Sequence, residues 1–151
     1  RNPEAITPSH DLQVIQGELG DQDAIARLVE GADTVFHIAA MYRSEGSYEE
    51  FLEVNVEGTR RLLDASKHAA VRRFIYCSTI GVHGTVAETP ADETAPYNPR
   101  DDYQKTKLMA EQYCLQSHGK GIEVAVIRPC GIYGPGDTRM LKMFREKGKQ
   151  Q

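Results

Sequence analysis

The sequence predicts an α/β domain, a doubly wound parallel sheet covered by helices on both faces. Two observations predict it. Short apolar runs of strand length alternate with longer segments of helical period along the whole chain. The runs at 33–40 and 72–82 are also nearly continuous in apolar character, as suits parallel strands buried on both faces. In such sheets ligands sit beyond the carboxyl ends of the strands, so the residues ending each run are the first candidates for function.

The elements follow in order. "LQVIQGEL" (12–19) alternates apolar and polar residues and predicts a strand. "DQDAIARLVEG" (21–31) predicts a helix: Asp21 caps it, Ile25, Leu28 and Val29 share a face, and Gly31 ends it. "DTVFHIAA" (33–40) predicts a buried strand. Residues 48–70 predict a long helix whose apolar stripe runs through Tyr48, Phe51, Leu52, Leu62 and Leu63. Gly58 within it costs helix stability and points to close backbone packing. "RRFIYCSTIGV" (72–82) predicts a strand running into small residues, and the proline-rich stretch 86–102 a loop. A helix follows over 101–118, ended by Gly119 and Gly121. "IEVAVIRP" (122–129) predicts a last strand, and a further helix begins near Thr138.

Composition narrows the function. The 151 residues suffice for one domain, 1–151, and 40% hydrophobic with 26% charged residues is ordinary for a globular protein. A net charge of -4 argues against binding to nucleic acid or an anionic membrane. No apolar run reaches the length of a membrane span. Cys77, Cys114 and Cys130 are widely spaced and odd in number, which predicts buried thiols in a reducing cytoplasm. The histidines show no ligand spacing, so no metal is expected. The chain opens on Arg1 and closes on the charged stretch "FREKGKQQ", and both ends predict a piece of a longer protein.

The strand ends are distinctive. One run ends in Ala39-Ala40, small enough to admit a flat ligand to the backbone or to allow tight strand-to-helix packing. The next ends in Ser78-Thr79, either site hydroxyls or turn and cap residues. The last ends in Arg128-Pro129, where proline stops further pairing. Tyr103 and Lys107 lie four apart and are helix neighbours, either a surface pair or a proton-transfer device. A cation about 4 Å away at an effective dielectric near 20 is worth roughly 4 kcal/mol. At most that lowers a phenol by roughly three pH units, toward neutrality. Asn55 falls on the apolar stripe of 48–70 and needs a partner, in a neighbouring strand or near a bound ligand.

"GELGDQDAIARLVEGADTVFHIAA", "NVEGT", "FIYCSTIGVHG", "YQKTK" and "IRPCGIYGPGD" occur in the order found in extended short-chain dehydrogenases/reductases. The chain resembles that family, which includes nucleotide-sugar epimerases and dehydratases and 3β-hydroxysteroid dehydrogenase-like enzymes. The resemblance implies a Rossmann-type sheet, here lacking the first β-α-β unit and the C-terminal substrate region. It implies NAD or NADP as cofactor and a small-molecule substrate, a nucleotide sugar or a sterol-like alcohol or ketone. Tyr103 matches the general acid/base, and Lys107 the lysine that lowers its pKa and bonds the nicotinamide ribose. Thr79 matches the hydroxyl that orients the substrate oxygen, with Ser78 in reserve. Ala39 and Ala40 match the pair lining the cofactor. Glu18 matches an acceptor for the adenine amine, Leu19 a cover for the ring, and Pro129 a position beside the nicotinamide. Asn55 matches an asparagine near the cofactor, and His83 stands where many relatives carry tyrosine.

No G-x-x-G-x-x-G loop occurs in the chain. "GIYGPGD" carries Pro135 and resembles the substrate-side loop, and "GELG" would set Glu18 against a pyrophosphate. The family places the glycine loop upstream of Arg1, so Arg1 would follow the second strand, where an arginine can meet a 2'-phosphate and favour NADP. Epimerisation or dehydration of a nucleotide sugar stands first, then a 3β-hydroxysteroid dehydrogenase-like reaction. A non-catalytic NADP sensor or scaffold is a third reading, opposed by the retained Tyr–Lys pair. Homodimers through two helices are common in the family, which makes 48–70 and 101–118 candidate contacts. With two strands missing from the middle of the sheet, residues 1–151 alone should be marginally stable and bind dinucleotide poorly. Calorimetric titration of this segment with NAD should give little heat, and tight binding would contradict the sheet order assumed.

Overall fold

The computed structural model describes residues 11–42, 46–87 and 89–134. Within them lie α1 (Gln22–Val29), β1 (Thr34–His37), α2 (Tyr48–Phe51), a π-helical segment (Leu52–Glu57), α3 (Gly58–His68), β2 (Arg73–Cys77), a 3-10 segment (Ile80–His83), α4 (Asp102–Ser117) and β3 (Glu123–Ile127). The expected helix near Thr138 and the role of Arg1 lie outside the described residues.

Side-chain caps make the helix starts, at Asp21 as the sequence predicts and at Asp101 and Ser47 as the structure adds. The Asp21 carboxylate accepts from Ala24 N at 3.0 Å, and Asp101 accepts from Gln104 N at 2.7 Å. Ser47 and Glu50 form a reciprocal capping box at the start of α2. Gly31 and Gly119 end their helices at φ +68 and +74. The long helix of 48–70 is continuous but widens into a π-helical turn at its middle, which apolar periodicity did not reveal. Gly58 directly follows that turn. A methyl group there would come within 2.8 Å of Leu19 Cβ, so close packing is the reason for the glycine.

The three strands are parallel in the order β1-β2-β3, with Val35 opposite Phe74 and Phe74 opposite Val124. All carboxyl ends therefore meet at one edge. One face of the sheet, carrying Val35, Phe74 and Tyr76, packs against Ile25 and Val29 of α1, Leu62 and Leu63 of α3, and Ala110 and Cys114 of α4. Burial of such side chains contributes about 1.5–3 kcal/mol each.

Four expectations are corrected. Residues 13–18 form no strand. Their alternation is real, but a strand exists through its ladder, and no described strand lies alongside. The sheet is not covered on both faces by the described helices: α1, α3 and α4 share one face. Phe36 and Ile38 on the other are 65% and 68% exposed. Leu28 turns outward on α1, leaving Ala24, Ile25 and Val29 as its buried face. Cys114 alone of the three thiols is buried; Cys77 is half-buried and Cys130 exposed. Among the described residues no helix is long and apolar enough to cross a membrane.

Beyond the 3-10 segment the chain makes a wide loop whose ends are pinned, with Asn98 N donating to Val82 O at 2.9 Å. Gly84 adopts φ +58 and ψ -130, and a side chain there would overlap the Asn98 carbonyl. Gly84→Ala should destabilise the fold by roughly 1–3 kcal/mol or more through strain and overlap. Denaturant unfolding is the check, and an unchanged midpoint would remove this constraint.

Candidate active site

The parallel sheet delivers its polar residues to one end. The backbone after β2 bends at Thr79, whose hydroxyl accepts from Gly81 N at 3.1 Å and so caps the 3-10 segment. The capping role expected as an alternative is thus realised, and the Thr79 O–H remains able to donate. Thr79 and Tyr103 line one cleft of about 610 Å³ together with Tyr42, Gly46, Phe51, Asp101, Asp102 and Gln104. Tyr42 packs on Tyr103 with ring centroids 4.7 Å apart.

Lys107, one turn along α4, is 2% exposed. Its ammonium lies 4.2 Å from the centroid of the Tyr76 ring, a cation–π contact. Among the described residues no carboxylate stands within ion-pair distance of it. Burial pulls its pKa down to about 8, with Cys77, Cys114 and Glu111 opposing the change. The phenol of Tyr103 behaves otherwise than expected. Burial, then Tyr42, Cys77 and Asp101, hold its pKa above the ordinary value. Four-residue spacing aligns the two backbone positions, but the lysine side chain turns inward over Tyr76 and does not lower the phenol.

Ser78 N donates to Ile127 O at 2.8 Å, fixing the end of β2 against β3. The Ser78 Oγ is buried and has no hydrogen-bond partner within the described chain. An orphaned hydroxyl and an ammonium without a carboxylate, both at the carboxyl edge, fit a polar ligand such as a dinucleotide.

Asn55, in the π-helical turn, is 2% exposed. Its Oδ1 accepts from Met41 N at 2.7 Å, and its Nδ2 donates to Met41 O at 3.2 Å and Thr106 Oγ1 at 3.1 Å. It thereby ties the segment after Ala39-Ala40 to the helix carrying Tyr103 and Lys107. Ala39 is exposed and Ala40 half-buried at this edge. Pro129 O accepts from Ile80 N at 3.1 Å. Glu18 is exposed, and Leu19 is half-buried against Gly58. No group of three or more potential metal ligands occurs among the described residues.

Sequence reasoning missed four participants. Tyr42 and Tyr76 were read as neither site nor support, although both flank the Tyr–Lys pair. The buried Glu111 and the half-buried Arg128 form an ion pair at 2.6 Å. Glu111 falls one helical turn after Lys107, a spacing that marks it in retrospect.

A parallel α/β sheet with hydroxyls, a tyrosine and a buried lysine at its carboxyl edge defines a nucleotide-binding type of domain. The chain belongs to the NAD dependent epimerase/dehydratase family, whose family model matches residues 1–151. It is 39% identical to the 3 beta-hydroxysteroid dehydrogenase/Delta 5-->4-isomerase of Mycobacterium tuberculosis, across 94% of this chain and 42% of that protein. Among solved structures it resembles RMD from Pseudomonas aeruginosa complexed with NADPH, at 31% identity and a TM-score of 0.78, covering 93% of this chain and 54% of that one. It also resembles DesIV, a dTDP-glucose 4,6-dehydratase from Streptomyces venezuelae with NAD bound, at 32% identity and a TM-score of 0.73, covering 79% and 38%. The chain thus spans less than half the length of the curated relative.

The depressed lysine makes a stability prediction. The unfolded chain holds this proton up to about pH 10.5 and the fold only to about 8, so the penalty is full below 8 and fades as pH rises toward 10.5. Lys107→Met should therefore stabilise the fold at pH 7 by about 3 kcal/mol and flatten the rise of stability at alkaline pH. Unfolding curves across pH 7–10.5 test this, and equal stability of the two proteins at pH 7 would contradict it.

Proposed function

We propose that the protein carrying this chain is an NAD- or NADP-dependent oxidoreductase-type enzyme acting on a hydroxyl-bearing or carbonyl carbon. One observation carries the reading: Tyr103 and Thr79 face one cleft while a buried Lys107, paired with no carboxylate among the described residues, lies one helical turn away. Bound at this edge, the dinucleotide would supply a nicotinamide that accepts or gives a hydride. Tyr103, Lys107, Ser78 and the backbone at Ala39 and Ala40 would hold its nicotinamide half, with Pro129 beside it. Glu18 and Leu19 would meet the adenine and Asn55 would fix the backbone it rests on.

The chain's own groups divide the remaining work. Tyr103, protonated at neutral pH, gives its phenolic proton to a substrate carbonyl oxygen in the reducing direction and takes it back from the alcohol in the other. Thr79 donates its hydroxyl hydrogen to the same oxygen and orients it. The Lys107 ammonium, turned inward over Tyr76, is the cation that would meet the bound dinucleotide. The apolar ring of Tyr42 excludes water from one side of the phenol.

The 39% identity to a 3 beta-hydroxysteroid dehydrogenase supports a sterol-like alcohol or ketone and net oxidation or reduction. A second reading, a nucleotide sugar oxidised transiently on the way to epimerisation or dehydration, is supported by the likeness to the NAD-bound dehydratase. Dimerisation is proposed through α2 and α4, where the partly exposed Tyr48 donates to Met109 Sδ at 3.8 Å on the outer surface. Free thiols at all three cysteines favour a cytoplasmic setting.

Tyr103→Phe in the whole protein is the test, with a 3β-hydroxysteroid and a nucleoside-diphosphate sugar as probes and reduced nicotinamide absorbance as readout. Dinucleotide affinity should persist while turnover falls roughly 10²–10⁴-fold. Unchanged turnover would remove Tyr103 from the mechanism.

A further inference from the structure

Glu111 stands four residues after Lys107 on α4, the spacing at which a lysine and a glutamate on one helix normally pair. Both are buried, at 2% and 0% exposure, where opposite charges attract strongly. They do not pair. Arg128 holds the carboxylate instead: its Nε donates to Oε1 and Oε2 at 3.2 Å each, and its Nη2 to Oε1 at 2.6 Å. Tyr97 donates to the same Oε1 at 3.2 Å.

The rest of the guanidinium is fixed as firmly. Nη2 donates to Tyr97 Oη at 2.7 Å, and Nη1 donates to Glu93 O and His83 Nε2, each at 3.1 Å. His83 is therefore an acceptor at Nε2 and donates from Nδ1 to Pro96 O at 3.3 Å. Partners from α4, the 3-10 segment and the 84–98 loop hold the fork in one orientation, a role a lysine's single ammonium does not fill.

The groups facing Lys107 are Glu111 and Cys114 on α4, Tyr76 and Cys77 on β2, and His37 on β1. Burial pushes the Cys114 thiol up to about 12 and pulls His37 down to about 3. Glu111 is the carboxylate among them, and so the group able to capture the ammonium.

We propose that Arg128 is a positioning residue that sequesters Glu111 and so keeps the Lys107 ammonium unpaired and available to the dinucleotide. The proposal rests on the reading of Lys107 as a cation that meets the bound dinucleotide. Without Arg128, the buried carboxylate swings one turn along its helix and ties up the lysine.

The experiment follows the Lys107 side chain itself, by NMR titration of ¹³C-lysine in the whole protein, with the resonance assigned by Lys107→Arg. Wild-type Lys107 should titrate near pH 8. In Arg128→Met the midpoint should move up by roughly one pH unit or more as Glu111 turns to the ammonium. In Arg128→Met with Glu111→Gln it should return to the wild-type position, and that variant replaces both partners of the ion pair by neutral groups, which protein interiors tolerate. Should Arg128→Met fail to fold, Arg128→Lys frees part of the carboxylate and should give a smaller upward move. An unmoved midpoint in the single variant, or no return in the double variant, overturns the proposal and leaves Arg128 a structural clamp. The outcome is separable from the catalytic reading. If Tyr103→Phe keeps full turnover while Lys107 titrates as described, the sequestration stands and the catalytic assignment falls.

Discussion

A single ammonium held out of water is the constraint on which the rest of this structure depends. Lys107 is as buried as the residues of the hydrophobic core, and a charge there is tolerated only where something favours it. Here the favour comes from the face of the Tyr76 ring, itself fully buried in β2. The central strand therefore does more than carry the sheet. Its aromatic side chain supports the lysine from below, while the two residues that follow it, Ser78 and Thr79, carry hydroxyls beyond the strand end.

Parallel pairing makes that geometry available. With β1, β2 and β3 aligned in register, every strand ends at the same edge, and the chain must leave that edge to return by a helix. The return segments are where the polar residues lie. Asn55 converts one of them into a fixed wall, since both ends of its amide grip the Met41 backbone while its Nδ2 reaches Thr106 beside Lys107. The π-helical turn that carries Asn55 costs regular hydrogen bonding, and its position at the edge of the site matches the usual company of such turns. Gly58 right after it lets Leu19 press against the helix, linking the loop before α1 to the same wall.

Much of this was legible in the sequence. The cap at Asp21, the glycine stops, the three parallel strands and the helix bearing Tyr103 and Lys107 all follow from local chemistry, which acts within a few residues. Asn55 was legible as a misplaced amide on an apolar stripe, though its partners were not. What escaped depends on distance in the chain. Residues 13–18 have the alternation of a strand but no ladder. Phe36 and Ile38 read as buried because their run is apolar, whereas burial is decided by what packs on that face. The Tyr–Lys electrostatics failed for a related reason: spacing fixes backbone neighbours, but the side chain follows its environment. The pairing of Glu111 with Arg128 across 17 residues had no local signature at all.

The protein interior also shows how one charge is kept single. His37 sits on β1 near Lys107, between Phe74 and Tyr76, with ring centroids 6.0 and 5.6 Å away. Its Nε2 lies 2.8 Å from Thr59 Oγ1, and that hydroxyl spends its own hydrogen on Asn55 O at 2.6 Å. Thr59 can therefore only accept, so the proton of His37 must be on Nε2. Protonating the other nitrogen would add a second cation to the same dry interior, and burial together with the Lys107 charge pulls the imidazole down to about 3. Of two basic groups in one core, the ring that can hand off a hydrogen bond while neutral gives up its charge. The ammonium, which has only donors to offer, keeps it near neutral pH. The network from His37 through Thr59 to Asn55 thus does two things with one set of bonds: it orients the wall at Met41, and it leaves Lys107 as the one cation of this His37–Tyr76–Lys107 cluster.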